Sequence, residues 1–537
     1  MRSSFVVEIA ERTAPRETVR TASASGVRTR RQAWLLWTAG AVFMFALLVF
    51  FYPRMTVSVD ESRYLSVARY LMEGRAFDRS SDAWFWKPLT DTHFVRTLFS
   101  LSPTFSALLI PFVAVGWRSS FVLGTLTHVL AFGGMMYVLR RRGLSPLWAT
   151  LYLLHPTFVL YSRMVMADVP SSALVVLILV LLHRQPPRHF LAGVVMGFAL
   201  LMKLSNFPVV ATVAAVGFVR GIPRWWSASD AGGNADRFGW LRMGLGMLPG
   251  VAAMMLVNTV FFNSPFGSGY APVRGGMFGW RHLITHLPFY VGALMTMYPL
   301  MLLSPVFLRG RLRWEMRLSC LAALLFFSAY YFLDRGNGLL EAMVRGLRFQ
   351  MIVIPFYIVA YSEMMTGLFR RLRAEKLLRG VLAAGIVVLW VGTCAISRNY
   401  FEHTAKEALR HEELAEILPR SGTVVAGAEK YVGAAKHPEL RVLRLLNPDD
   451  LPYLVRQRDL PALLLLARGR AMRTRAYRDT TEEQCRRVLK KAEEYFEVHN
   501  AVCPIEGFET RMLVRKLVHD GRPWHLLPIH LFPETDE

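Results

Sequence analysis

Asp60-Glu61-Ser62-Arg63-Tyr64-Leu65-Ser66-Val67-Ala68-Arg69-Tyr70-Leu71-Met72-Glu73-Gly74 sets two adjacent acids at the head of a short helical pattern. Tyr64, Ala68 and Leu71 recur at helical spacing from Glu61, and Leu65, Ala68, Leu71 and Met72 form an apolar stripe. Such a stripe suits a helix lying along a membrane surface. Negative charge at a helix N-terminus is favoured by the macrodipole, so the two acids taken alone fit a capped interfacial helix as well as a functional site. The surroundings narrow the choice. The stretch begins about seven residues after an apolar run at 33–53, long enough to cross a bilayer.

That run is the first of many. Of the 537 residues, 53% are hydrophobic and only 19% charged, against about 25% charge in a typical soluble domain. A disordered chain and an ordinary cytosolic enzyme are both excluded. Apolar runs at about 33–53, 119–139, 148–165, 170–183, 189–203, 206–219, 243–262, 288–307, 318–333, 349–367 and 380–397 are expected to make eleven spans. The formal net charge is +24, but residues 398–537 hold 23 basic and 22 acidic residues, leaving 40 basic and 17 acidic before them. The surplus therefore sits at the ends of the apolar runs. Its clusters are Arg30–Arg31, Arg140–Arg142, Arg184 with Arg188, Arg220–Arg242, Arg309–Arg317 and Arg370–Arg379; they mark alternate loops as cytoplasmic. A nucleic-acid-binding protein would gather its cations on a soluble face, so no nucleic acid is expected as a partner.

An odd number of spans puts residues 1–32 inside and 398–537 outside. The first 32 residues, with seven Arg and three Glu, read as a disordered cytoplasmic tail, and no small-residue cleavage site follows the first run. The apolar stretch 98–116 would break the alternation if it crossed the membrane; it is read as an interfacial helix or as a helix buried in a first external loop at about 54–118. Residues 33–397 then form the membrane domain. In 398–537, Thr423–Ala426, Leu440–Leu445 and Ala462–Leu466 read as strands and Glu482–Glu497 as an amphipathic helix, a small α/β domain. Cys485 and Cys503 lie in it and are free to pair in an oxidising exterior or to stay reduced.

Nine of the seventeen acids before residue 398 fall in or beside external loops: Asp60, Glu61, Glu73, Asp78, Asp82, Asp91, Asp168, Asp334 and Glu341. Acids next to a membrane are costly to desolvate and mark functional candidates.

The acidic stretch resembles the first-loop motif of GT-C superfamily glycosyltransferases in its Asp-Glu-x-x-Tyr-x-x-x-Ala form, as in protein O-mannosyltransferases and lipid A aminoarabinose transferases. Further segments resemble that family in order. Ser102-Pro103 with the apolar run to Gly116 is similar to its Pro-Pro-Leu stretch, with Ser102 replacing the first Pro. Tyr161-Ser162-Arg163-Met164-Val165-Met166-Ala167-Asp168-Val169-Pro170 resembles its second acidic motif, Asp-x-Pro opening a span. Lys203-Leu204-Ser205 is similar to a Lys-Pro-Ser stretch, Phe266–Tyr270 to a Phe-Gly-Ser loop ending in Gly-Tyr, and Arg348-Phe349 with Pro355 to the Arg-Tyr…Pro opening of a late span. The resemblance covers roughly 33–400 and says little about 401–537.

It implies an α-helical polytopic fold of GT-C type and transfer of a monosaccharide from a polyprenyl-phosphate carrier to a glycan, lipid or protein acceptor at the outer membrane face, with inversion. The acceptor hydroxyl must lose a proton as it attacks the anomeric carbon, and a carboxylate within reach can take it. Asp60 is the expected base, with Glu61 as helper or acceptor-orienting group. Asp168 would hold the acceptor or tune Asp60, and also fits a simple cap for the span opening at Val169-Pro170. The lipid-phosphate leaving group needs cations. Arg348 is expected first, since a guanidinium grips phosphate through two bonds, then Lys203, then Arg345 and Lys87. Lys87-Pro88 itself resembles the Lys-Pro-Pro of aminoarabinose transferases. Arg348 is equally a residue that could snorkel to the interface. Tyr64 and Tyr270 are expected against substrate, with Tyr270 also suited to an interfacial aromatic belt.

No cofactor is required by this reading. Some relatives use a divalent ion, so one beside Asp60, with His93 as a further ligand, stays open; His282 and His286, spaced i, i+4, fall in an expected loop. No Walker loop, GxSxG or CxxC pattern occurs. The rival reading, a transporter or flippase for a lipid-linked glycan, would place charges within the spans. The Arg-rich sequence fits a bacterial inner or plasma membrane, with the C-terminal domain extracytoplasmic.

Overall fold

The computed structural model describes residues 16–79, 84–88, 94–98, 102–226, 238–267, 277–333, 339–418, 421–426, 440–444, 451, 455, 460–467, 475–500, 508–515, 518–519 and 522–523. Two helices open it, α1 (Arg16–Phe50) and α2 (Val59–Met72). A hairpin of β1 (Trp84–Pro88) and β2 (Phe94–Leu98) follows, antiparallel, with Trp84 opposite Leu98. The membrane-domain helices continue as α3 (Pro103–Val115), α4 (Phe121–Arg141), α5 (Thr150–Leu153), α6 (Pro156–Tyr161), α7 (Asp168–His183), α8 (His189–Met202), α9 (Phe207–Trp226), α10 (Gly239–Phe262), α11 (Trp280–Met297), α12 (Arg313–Ala329), α13 (Leu339–Gly346), α14 (Ile354–Arg371) and α15 (Glu375–Ile417).

Among the described residues, five helical segments are long and apolar enough to cross a membrane, or seven if each of two bent pairs is one span. The expected eleven differ from this in identifiable ways. Runs 170–183 and 189–203 are α7 and α8, of 16 and 14 residues, short against the roughly 20 that a bilayer needs. Run 148–165 is not one helix but a 3-10 turn at Pro146–Ala149 followed by α5 and α6. Pro156 disfavours a helical residue before it, and His155 is held extended (φ −62°, ψ 123°). Loss of helical hydrogen bonds there is tolerable because the segment is buried in protein, Tyr152 and Phe158 being fully enclosed. Run 288–307 bends by 85° after Met297, where Pro299 follows, and the run from Met343 bends by 93° before α14.

Close helix contacts frame the bundle. Gly193 and Gly197 of α8 face Gly246 and Gly250 of α10. A Cβ on Gly193 would stand 1.9 Å from the Met243 carbonyl oxygen, and one on Gly250 2.4 Å from the Gly197 carbonyl carbon. These are two small-xxx-small pairs letting backbones touch. At the end of α4, Arg142 donates to Glu363 (2.7 Å), to the Arg309 carbonyl (2.6 Å) and to the Arg311 carbonyl (3.0 Å), tying the expected cytoplasmic ends together.

Residues 54–118 hold α2 and α3. The buried face of α2 shares Ala68 with the stripe read from the sequence, and Leu65 and Leu71 pack against the core, but it departs from the stripe at Met72. Tyr64, Val67 and Ala68 are enclosed while Met72 is exposed, so the helix packs on protein, with Tyr64 edge-on to Phe105 of α3 at 4.7 Å.

Beyond α15, β3 (Gly422–Ala426), β4 (Leu440–Arg444) and β5 (Ala462–Ala467) match the expected strands. α16 (Arg475–Tyr495) starts earlier than the expected helix and gives way to β6 (Phe496–Asn500), followed by β7 (Phe508–Arg515). The sheet order is β4-β3-β5-β7-β6; the first three strands are parallel, and β7 pairs antiparallel with both β5 and β6. Val488 and Ala492 of α16 share a core with Leu464, Leu466 and Leu513. The pairing of Cys485 with Cys503 lies outside the described residues.

Candidate active site

Four side chains from four separate segments meet at one point. Asp60 is the second residue of α2, Asp168 the first of α7, Lys203 the residue ending α8, and Arg348 lies in the 3-10 turn Leu347–Ile352 before α14. Asp168 Oδ1 accepts from Lys203 Nζ at 2.6 Å and from Arg348 Nε at 3.2 Å. Arg348 Nη2 donates to Asp60 Oδ2 at 2.9 Å. The guanidinium lies within cation–π reach of Tyr161 (5.6 Å) and Phe349 (5.7 Å), and Lys203 Nζ stands 5.9 Å from the Phe349 ring centre.

Two acids and two cations balance formally, and they are unequally accessible. The Asp168, Lys203 and Arg348 side chains are 3%, 7% and 11% exposed, and Asp60 is 23% exposed. A buried charge stripped of its partner is costly, so Asp168 is anchored by its cations, and Asp60 is the limb that solvent and ligands reach most readily. Asp168 Oδ2 is buried without a partner among the described residues. The capping reading of Asp168 changes in detail: Ala167 is the cap residue, no side chain caps it, and the Asp168 carboxylate serves the cations.

Glu61 turns away from this cluster. Its Oε2 accepts from the Val57 and Ser58 amides, both at 2.9 Å, and its Oε1 from the Val165 amide at 3.0 Å. It is fully buried. Burial pushes its carboxyl up to about 7, the three backbone donors pull it down, and neighbouring Asp60 adds to the rise. A helper touching the acceptor is therefore not its place; it closes a capping box with Ser58 and bridges to the loop before Asp168. The sequence carried that signal as Ser58-x-x-Glu61.

Of the other expected residues, Arg345 pairs with Glu341 at 2.8 Å on the same helix. Tyr64 is buried against Phe105 and borders a cleft that also holds Lys203, Ser102 and Asn258, so it is a packing residue at the edge of the site. Lys87 lies in β1, and its side chain, like Tyr270 and His93, lies outside the described residues. His282 and His286 stack at 5.7 Å on α11 rather than in a loop. Among the described residues no three His, Cys, Asp or Glu side chains gather as metal ligands. Asp60 is held by Arg348, and Asp168 by Lys203 and Arg348 through Oδ1. Tyr161 and Met166 were not singled out by the sequence; Met166 Sδ lies 3.6 Å from Arg348 Nη2.

The helical domain that brings these two acids and two cations together from four segments shares the GT-C fold. The chain is similar to the apo crystal structure of ArnT from Cupriavidus metallidurans, at 15% identity, with a TM-score of 0.56, over 90% of this chain and 98% of that one. Two other solved structures align at lower scores. The archaeal oligosaccharyltransferase AglB from Archaeoglobus fulgidus, in complex with an inhibitory peptide and a dolichol-phosphate, is 11% identical, with a TM-score of 0.46, over 90% of this chain and 74% of that one. The mycobacterial arabinofuranosyltransferase AftD is 14% identical, with a TM-score of 0.42, over 91% of this chain and 42% of that one. At these identities the likeness is one of fold. No family model and no curated protein matches the sequence.

Proposed function

We propose that the protein is an integral membrane glycosyltransferase that moves a monosaccharide from a polyprenyl-phosphate carrier to an extracytoplasmic acceptor with inversion. The observation that carries this is the meeting of Asp60, Asp168, Lys203 and Arg348. Two carboxylates and two cations within hydrogen-bond reach supply what such a transfer needs: a base for the acceptor hydroxyl and positive charge for the departing phosphate. In this reading Asp60 is the base. Asp168 fixes Lys203 and Arg348, and those cations bind the donor phosphate. The topology of eleven spans, with residues 398–537 as an α/β domain on the outer face of a bacterial inner membrane, belongs to the same proposal, as do the supporting places of Lys87, Arg345 and Tyr270.

The step balances. The acceptor O–H gives its proton to an Asp60 carboxylate oxygen, the acceptor oxygen bonds the anomeric carbon, and the anomeric C–O bond to phosphate breaks with its electron pair passing to the lipid phosphate. The test is glycan analysis of a deletion strain beside an Asp60→Asn strain. Loss of the same sugar in both, with normal Asp60→Asn protein in the membrane, is expected. A full sugar complement in the Asp60→Asn strain overturns the proposal.

A further inference from the structure

In the structure Arg348 Nη2, the most natural grip for a donor phosphate, is already holding Asp60 Oδ2 at 2.9 Å. The same guanidinium reaches Asp168 through Nε, and Asp168 is the less exposed acid, shared with Lys203. An incoming phosphate oxygen can therefore exchange with one acid far more easily than with the other. We propose that Asp60 occupies the donor-phosphate position on Arg348 while the site is empty, so that donor binding displaces Asp60 and releases the base, making donor-before-acceptor the productive order. This rests on the sugar-transfer reading of the cluster.

The electrostatics close into a cycle. While Asp60 is paired with Arg348, its Oδ2 is engaged by the guanidinium and is not offered to an acceptor hydroxyl. A phosphate that takes over Nη2 frees that oxygen at the moment an acceptor proton has to be received. After transfer, the lipid phosphate carries one more negative charge than the donor phosphodiester did, and Asp60 carries the proton. A neutral Asp60 no longer competes for Arg348, so the product phosphate stays gripped. When the proton leaves to solvent, the recharged carboxylate returns to Nη2 and helps expel the lipid phosphate. Asp60, at 23% exposure, has the access that both the exchange and the proton loss require.

The test uses the full chain in detergent micelles with a long-chain polyprenyl monophosphate as probe, titrated against wild type, Asp60→Asn, Arg348→Gln and the double variant. Asp60→Asn is expected to bind the probe roughly tenfold tighter, the loss of one partly exposed ionic competitor. In the Arg348→Gln background the same change is expected to give no gain, because there is no shared guanidinium left to win. Affinity unchanged or weakened in Asp60→Asn overturns the exchange while leaving the transferase reading in place, since the probe still binds through the cations. A gain that persists without Arg348 overturns it too, because simple repulsion across the site would then explain it. If wild type fails to bind the probe, or if binding ignores Arg348, the transferase reading itself falls. Circular dichroism and monodispersity of each variant separate these outcomes from misfolding.

Discussion

Replacing Glu61 by Gln tests how the site is held together, and the structure fixes the sign of the result. Glu61 is fully buried and accepts three backbone amides, Val57 and Ser58 on one oxygen and Val165 on the other. Gln keeps one acceptor oxygen and turns the other into an NH2 group, so at least one amide faces a donor, at about 1–3 kcal/mol. Against this stands the cost of ionising the wild-type acid. Its carboxyl is raised from an ordinary 4.5 to about 7, equivalent to about 3 kcal/mol. Because the folded protein holds this proton more tightly than the unfolded chain, wild-type stability is highest below about pH 4.5, falls as the pH rises towards 7, and levels off above it. The Glu61→Gln variant carries no such slope. The wild type is therefore expected to be the more stable by about 1–3 kcal/mol at pH 5, with the difference vanishing or reversing at pH 8. The assay is unfolding of purified protein in detergent at both values, followed by tryptophan fluorescence. A stability difference independent of pH refutes the reasoning, because it would mean that Glu61 is not titrating in its buried position.

Two further outcomes follow from the packing. Gly250→Val puts a branched side chain where even a Cβ would meet the Gly197 backbone at 2.4 Å; it is expected to push α8 from α10, lower the melting temperature and cut folded yield severalfold by size-exclusion fluorescence, whereas Gly244→Ala, with nothing within 4 Å of its Cβ, is expected to leave both unchanged. Arg142→Ala leaves Glu363, 15% exposed, without its 2.7 Å partner; a loss of about 3–5 kcal/mol is expected and is read by thermal unfolding, with Glu363→Gln in the same background recovering part of it.

The sequence exposed the chemistry of the site more fully than its scaffold. Asp60, Asp168, Lys203 and Arg348 were legible as candidates because acids and cations close to apolar runs are rare: Asp168, Lys203 and Arg348 stand at the edge of such a run and Asp60 about seven residues beyond one. Their convergence was not legible, since four segments as far apart as residues 60 and 348 come together only through the tertiary fold. Glu61 shows the limit of reading residue types alone. An acid beside Asp60 looks catalytic, yet Ser58-x-x-Glu61 is a capping box, and local backbone donors captured the carboxylate. The internal break of the run 148–165 was not legible: at His155-Pro156 the backbone turns inside protein, and hydropathy does not distinguish a buried break from a continuous helix. The glycine pairs at 193 and 197 and at 246 and 250 were visible, but only the packed helices show that they face each other.

α15 is the longest helix among the described residues. Its 43 residues make an unbroken rod about 65 Å long, roughly twice the hydrocarbon thickness of a bilayer. Towards its C-terminal end Thr404 Oγ1 receives the Arg54 amide at 3.2 Å, and Phe401 meets Phe51 and the Arg54 guanidinium. That strap of chain leads directly into the helix that carries Asp60. The long helix α15 and the helix that carries Asp60 therefore share one anchor, the strap at residues 51–58.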